Sequence, residues 1–263
     1  MDPALRGADQ AGRGRELELH RRSKKLASNA SSLDHHRWVA VSIRLGRAEL
    51  DEIAECSLAH VSEEEREGAR ATGRPRGRHS LISRFLVRHL LSLAFDRPAR
   101  SIPIVRTPNG KPYVSDAGCH FNVSHSSNTF LIGLSTNPIG VDVEAVPFWH
   151  EGLERWMGGS RMSSSSMSPS PSKKQALTEN WVIAEACIKA AGLRLTDTRH
   201  FHERDVDAGR WGSFRWELLP IAPATAAVAS RANDDRPGSL CFGSLEISRD
   251  QLILNIDEVR PIY

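Results

Sequence analysis

Apolar residues recur along this chain with two different periods, and the switches between them outline its elements. Trp38-Val39-Ala40-Val41-Ser42-Ile43 is rich in β-branched residues and reads as a first strand. Ser62-Glu63-Glu64-Glu65 carries a capping-box pattern and predicts a polar helix from Glu63 to about Thr72, ended by Gly73-Arg74-Pro75. Leu81, Ile82, Phe85, Leu86, Leu90 and Leu93 then form one apolar stripe on a long helix, about Ser80 to Phe95. Pro98, Pro103 and Pro108 punctuate short extended pieces before the turn dipeptide Asn109-Gly110. Phe121 to Ser126 and Asn128 to Leu134 read as paired strands, with Ser124-His125 expected at the tight reversal.

Ile139-Gly140-Val141-Asp142-Val143-Glu144 is a further strand. Residues two apart on a strand share a face, so Asp142 and Glu144 project together while Val141 and Val143 turn into the core. A helix resumes at about Lys174, with Leu177, Ala184 and Ile188 inward and Trp181, Glu185 and Lys189 along another face. Phe214 to Leu218, Ala224 to Ser230 and Leu240 to Phe242 read as closing strands.

Two stretches lack the capacity to pack. Residues 1–35 carry few large apolar side chains and are expected to be a disordered tail; Asp2, Asp9, Glu16 and Glu18 are too acidic for a targeting peptide. The Ser/Pro-rich segment 158–173 reads as a low-complexity insertion. Elsewhere, 40% hydrophobic and 25% charged residues in 263 suit a globular chain with a well-buried core. No apolar run is long enough to span a membrane. A net charge of +3 is too slight to argue for nucleic acid. Cys56, Cys119, Cys187 and Cys241 are scattered, which excludes a zinc motif and fits a reducing cytoplasm.

The candidate chemistry centres on Asp142 and Glu144. Two like charges on one strand face repel, and a hard cation such as Mg²⁺ would relieve them; a solvated strand edge is the plainer alternative. Lys111, leaving its turn, has an ammonium free to reach a phosphate or simply to be solvated. A Ser124–His125 nucleophilic dyad is excluded, because adjacent residues seldom align hydroxyl with imidazole and no G-x-S-x-G elbow is present. Glu185 and Lys189 form either an ordinary surface pair or the far wall of a site facing Asp142 and Glu144.

Four blocks occur in order: Gly110-Lys111-Pro112, Phe121-Asn122-Val123-Ser124-His125-Ser126, Gly140-Val141-Asp142-Val143-Glu144, and Trp181 to Lys189. Together they resemble the surfactin-type 4′-phosphopantetheinyl transferases, convincingly from about Arg78 to Gly192. The resemblance implies an α+β fold of two pseudo-twofold halves, each a helix on an antiparallel sheet, spanning 36–137 and 138–263. It also implies a monomer. The implied reaction moves the 4′-phosphopantetheine arm of coenzyme A to a serine of an apo acyl or peptidyl carrier protein, releasing 3′,5′-ADP, for fatty-acid, polyketide or nonribosomal-peptide synthesis. Asp142, Glu144 and Glu185 would hold Mg²⁺, with Asp142, Glu185 and Lys189 catalytic; either Glu185 or a water it positions would take the serine proton. Arg78 or His79, with Lys111, Pro112, Ser124, His125 and Lys189, would contact coenzyme A. Arg84 and Arg88 are either docking charges or a solvated helix face. Two departures stand out: Ala184 replaces the usual lysine before the glutamate, and no F-[ST]-x-x-E acid follows, since Glu151 and Glu154 come too early. These departures leave a degenerate carrier-binding homologue as one alternative, and a metal-dependent phosphohydrolase using the same three carboxylates is another.

Overall fold

Each apolar stripe finds a separate partner surface, and the result is four stacked layers. The computed structural model describes residues 37–46, 50–58, 60–73, 76–147, 170–197, 209–248 and 251–262. The expected tail 1–35, Glu151, Glu154 and most of the insertion 158–173 lie outside them.

The first layer is helical. Leu50–Ser57 forms α1, which the sequence reading passed over although Leu50, Ile53, Ala54 and Ser57 have helical spacing and are buried. Glu63–Thr72 forms α2 behind the expected capping box: Ser62 Oγ accepts from the Glu65 amide, and Ser62 N donates to Glu65 Oε2. Arg76–Phe95 forms α3, so the long helix starts four residues ahead of the expected Ser80, and Arg78 and His79 lie inside its first turn. Arg88 is no docking charge. It is 6% exposed, donating through Nε to Glu65 Oε2 at 2.8 Å and through Nη1 to the Ala99 carbonyl at 2.9 Å. A buried guanidinium needs such partners, and Glu65 serves both it and the cap.

The strands are β1 (Trp38–Arg44), β2 (Ile104–Arg106), β3 (Pro112–Val114), β4 (Cys119–Ser126), β5 (Thr129–Ser135), β6 (Ile139–Glu144), β7 (Arg210–Trp211), β8 (Phe214–Leu219), β9 (Thr225–Arg231), β10 (Gly238–Ser248) and β11 (Gln251–Ile262). A seven-stranded sheet runs β11-β10-β1-β5-β4-β3-β2, and a four-stranded sheet runs β6-β9-β8-β7. The α+β class therefore holds, with one difference from two antiparallel halves divided near Asn137. Strands β10 and β11 return to the first sheet, and β10 pairs parallel to β1, Trp38 opposite Gly238.

Alternation on β1 serves two cores. Val41 and Ile43 join Ile82, Phe85, Leu86, Phe130 and Ile132 between α3 and the first sheet. Trp38 and Ala40 join Leu131, Ile139, Val141, Val143 and Val228 between the two sheets. The last layer is α4, Pro171–Ala191, capped by the Ser170 hydroxyl with Pro171 in its first turn. The final residues of the expected insertion are thus the helix start. Among the described residues no helix is long and apolar enough to cross a membrane.

Small residues bring α4 onto the second sheet. Val182, Ala184, Ala186, Cys187 and Ala190 meet Ala227 and Ala229 of β9, and Ala184 is fully buried. The position of the usual lysine is a packing position in this chain. At Gly140 the approach is closest: an added Cβ would lie 2.0 Å from the Ala186 carbonyl oxygen and 2.4 Å from the Ala190 nitrogen. Both obstacles are backbone. Gly140→Ala is therefore expected to destabilise the protein by about 1–3 kcal/mol, as overpacking does. Thermal unfolding should register a midpoint several degrees lower; an unchanged midpoint would show that α4 can slide freely on β6.

Candidate active site

Strand β6 is an edge strand, and side chains of β4 substitute for a neighbour. On β4, Phe121, Val123 and His125 take one face, and Asn122, Ser124 and Ser126 take the other. Asn122 Oδ1 accepts from the Val141 amide at 2.9 Å, Ser124 Oγ donates to Asp142 Oδ1 at 2.7 Å, and Ser126 Oγ donates to Glu144 Oε2 at 2.7 Å. Asn122 and Ser126 escaped the sequence reading. Their signal was the period-two spacing of Asn122, Ser124 and Ser126, which puts all three on one strand face.

Asp142 and Glu144 do share a face, and α4 brings Glu185 and Lys189 to it. Lys189 Nζ donates to Asp142 Oδ1 at 2.6 Å and lies 3.4 Å from both Glu185 Oε2 and Ser124 Oγ. Burial opposes the Lys189 charge, but Asp142 and Glu185 together hold its pKa above the ordinary lysine value. Burial raises the pKa of Glu144 above the ordinary 4.5, as do the charges of Asp142 and Glu185, against the lowering effects of Ser126 and Lys189. Burial likewise raises Glu185, with Asp142 adding to it and Lys189 opposing it.

The three carboxylates are thus neighbours, but they are not a finished cage. Lys189 bridges Asp142 and Glu185, and among the described residues no three acid, imidazole or thiol groups converge as a ready metal site. Their chemistry nevertheless fits a hard cation. Asp142 Oδ2 is buried without a hydrogen-bond partner, and burial, with neighbouring acids adding to it, raises the pKa of Glu144 and Glu185.

The opposite face of β4 lines a cavity of about 320 Å³ against α3, walled by Ser83, Arg84, Arg106, Pro112, Phe121 and His125 among others. His79 stacks on His125 with ring centroids 5.0 Å apart, and its Nε2 donates to the Ser127 carbonyl at 2.9 Å. Burial, then the neighbouring His79 and Lys189, push the His125 pKa down. Of the two candidates at the start of α3, His79 is the one brought to His125; Arg78 turns to Asp51 at 3.1 Å. The chain reverses at Ser127-Asn128, not at Ser124-His125, with Ser127 at φ 54°. Ser124 and His125 point to opposite faces of β4, which agrees with rejecting them as a dyad.

Lys111 differs from its expectation. Its ammonium is not free: it donates to the carbonyls of Ile139 at 2.9 Å, Lys189 at 2.6 Å and Ala190 at 2.9 Å. An ammonium has three donors, and all are taken. Burial draws its pKa down to about 8.

Known proteins resemble both parts of the chain. Residues 51–136 match the family model described as 4′-phosphopantetheinyl transferase, N-terminal, and residues 138–241 match that of the 4′-phosphopantetheinyl transferase superfamily. The 4′-phosphopantetheinyl transferase gsp of Aneurinibacillus migulanus is 30% identical over 122 residues, covering 43% of this chain and 48% of the relative. Psf-1 of Bacillus pumilus is 27% identical over 117 residues, 44% of this chain and 50% of the relative. Sfp of Bacillus subtilis (strain 168) is 26% identical over 142 residues, 53% of this chain and 63% of the relative. The chain spans about half the length of the first two of these relatives, and somewhat more of the third.

The Ser126 hydroxyl favours the charged form of Glu144, while burial and the acids around it favour the neutral form. Ser126→Ala should therefore raise the Glu144 pKa further. A carboxyl ¹³C NMR titration would show the upward displacement; an unmoved titration would mean that the hydroxyl does not hold the acid.

Proposed function

The chain belongs to the 4′-phosphopantetheinyl transferase superfamily, and we propose on that premise that it transfers 4′-phosphopantetheine from coenzyme A to a serine of an apo acyl or peptidyl carrier protein. The observation that carries the reading is the meeting of Asp142, Glu144, Glu185 and Lys189 across β6 and α4. In the proposed step the serine oxygen bonds to the β-phosphorus of coenzyme A. The bond from that phosphorus to the bridging oxygen breaks, and 3′,5′-ADP leaves.

Asp142, Glu144 and Glu185 are the residues that would hold Mg²⁺, with the spare Asp142 Oδ2 as one acceptor. When bound, the ion would polarise the pyrophosphate and offset charge developing on the leaving group. Lys189, kept fully protonated by its two acidic neighbours, adds a fixed positive charge beside the reacting phosphate. Glu185 is the proposed acceptor of the serine proton, and its raised pKa makes it a better base near neutrality than an exposed glutamate. Pro112 and His125, with His79 stacked behind, border the cavity proposed for the nucleotide end; Ser124 stands on the carboxylate side of the same strand. Arg84 and Arg106 bring positive charge to that cavity, as an anionic co-substrate requires. Action as a cytoplasmic monomer, in antibiotic or fatty-acid synthesis, belongs to the same proposal.

Intact-mass spectrometry of apo carrier proteins incubated with the protein, coenzyme A and Mg²⁺ tests it. A mass gain of one phosphopantetheine is expected, lost on chelation. Asp142→Asn should lower the rate by about 10²–10³-fold, the scale of losing one preorganised electrostatic group, with the fold retained. Full transfer by that variant at saturating Mg²⁺ would sink the metal assignment, and no gain on any carrier would sink the transferase reading.

The pH profile follows from the same acids. Glu144 and Glu185 must be ionised to bind a cation or take a proton, and both have pKa values above the ordinary 4.5. Transfer should fall along an acidic limb lying above pH 4.5, and added Mg²⁺ should move that limb to lower pH by competing with protons. A limb indifferent to Mg²⁺ would separate these carboxylates from metal binding.

A further inference from the structure

The Asn109-Gly110-Lys111 turn belongs to the first sheet's side of the molecule, yet its polar groups reach the end of α4. Lys111 Nζ donates to Lys189 O and Ala190 O in the last turn of that helix and to Ile139 O at the start of β6. Asn109 Nδ2 donates to Gly192 O at 3.1 Å, one residue past the helix. Gly192 takes the left-handed conformation at φ 69°, and its amide turns back to the Lys189 carbonyl. The final carbonyls of a helix need donors from elsewhere, and a cation there also meets the negative end of the helix dipole.

These acceptors lie on the two elements that carry the proposed chemistry. Ile139 precedes Asp142 by three residues on β6, and Lys189 offers its carbonyl to Lys111 and its own ammonium to Asp142. One ammonium therefore ties the backbone of the strand bearing Asp142 and Glu144 to the last turn of the helix bearing Glu185 and Lys189. We infer that Lys111 is a positioning residue for the reaction: it fixes the separation of β6 and α4 by bridging three backbone carbonyls and does not bind the phosphates of coenzyme A. Asn109 supports it from the same turn. The inference deepens the transferase reading and rests on it for its kinetic consequence.

Lys111→Met keeps the aliphatic stem and removes all three donors. Because a small misplacement of catalytic groups lowers turnover more than binding, kcat should fall about 10- to 100-fold. The KM for coenzyme A and its calorimetric Kd should stay within about twofold, as expected when ground-state binding is spared. Lys111→Arg, which retains donors, should recover part of kcat. A phosphate contact would give the reverse split, a raised KM and Kd with kcat preserved, and would overturn the inference; unchanged kcat and KM would overturn it as well. If Lys111→Met fails to fold, Asn109→Ala removes only the bond to Gly192, and the same split in smaller measure is expected; a split toward KM there would also overturn it. Amide hydrogen exchange separates this test from the transferase reading, because it needs no turnover. Were the unaltered protein inactive on every carrier, faster exchange in the variant at both Ile139–Glu144 and the last turn of α4 would still support the clamp. Exchange confined to the Asn109–Lys111 turn would refute it.

Discussion

The carboxylates of β6 can face a helix only because that strand carries no side chain at Gly140. The α4 backbone comes so near that a single methyl group would overlap Ala186 and Ala190. That approach sets every distance across the site. Lys189 on α4 is then close enough to meet Asp142 directly, and Glu185, one turn before it, reaches the same ammonium. The small residues of β9, Ala227 and Ala229, serve the same end by letting the helix settle across two strands. A bulkier sheet surface would hold α4 farther away, and charges that now touch would be separated by water and screened.

Close approach has an electrostatic consequence. Three carboxylates and one ammonium are gathered in partly buried surroundings, so negative charge exceeds the positive charge beside it. Two hydroxyls of β4 soften the excess by donating to Asp142 and Glu144, but hydroxyls carry no net charge. Burial first, and then this excess of negative charge, raise the pKa values of Glu144 and Glu185, and Asp142 Oδ2 is left without a hydrogen-bond partner. A fold selected for stability alone would place another cation there or remove an acid. Retained strain of this kind is what a site needs if it is to take up a cation and an anionic substrate together.

Much of this was legible where local chemistry decides the outcome. The Ser62–Glu65 box announced α2, and alternation placed Asp142 and Glu144 on one face of β6 with Val141 and Val143 behind them. The two apolar periods announced a mixture of helix and strand, and the family resemblance supplied the α+β class. Illegible were the features settled by distant partners. Arg88 reads as one more exposed arginine until Glu65 and the Ala99 carbonyl are seen around it. The return of β10 to pair parallel with β1 joins residues some 200 apart, and no local pattern encodes it. Ser126 and Asn122 were hidden for a different reason, since their strand was recognised but the partner facing its polar side was not.

Lys111 and Lys189 show how two lysines at one helix end divide their work by the acceptors they meet. Lys189 faces carboxylates, which neutralise it in part and leave it pointed at the site. Lys111 faces carbonyls, which satisfy its protons and leave its unit charge uncancelled. Burial lowers the pKa of His120, and the charges of Lys111 and Arg231 add to that lowering. Holding a backbone and supplying positive potential are therefore compatible tasks for one ammonium. A sequence motif records only that a lysine is wanted after the turn. Whether it stays free to meet a ligand or ties two elements together depends on where the carbonyls of another half of the chain end, and here three of them end at Lys111.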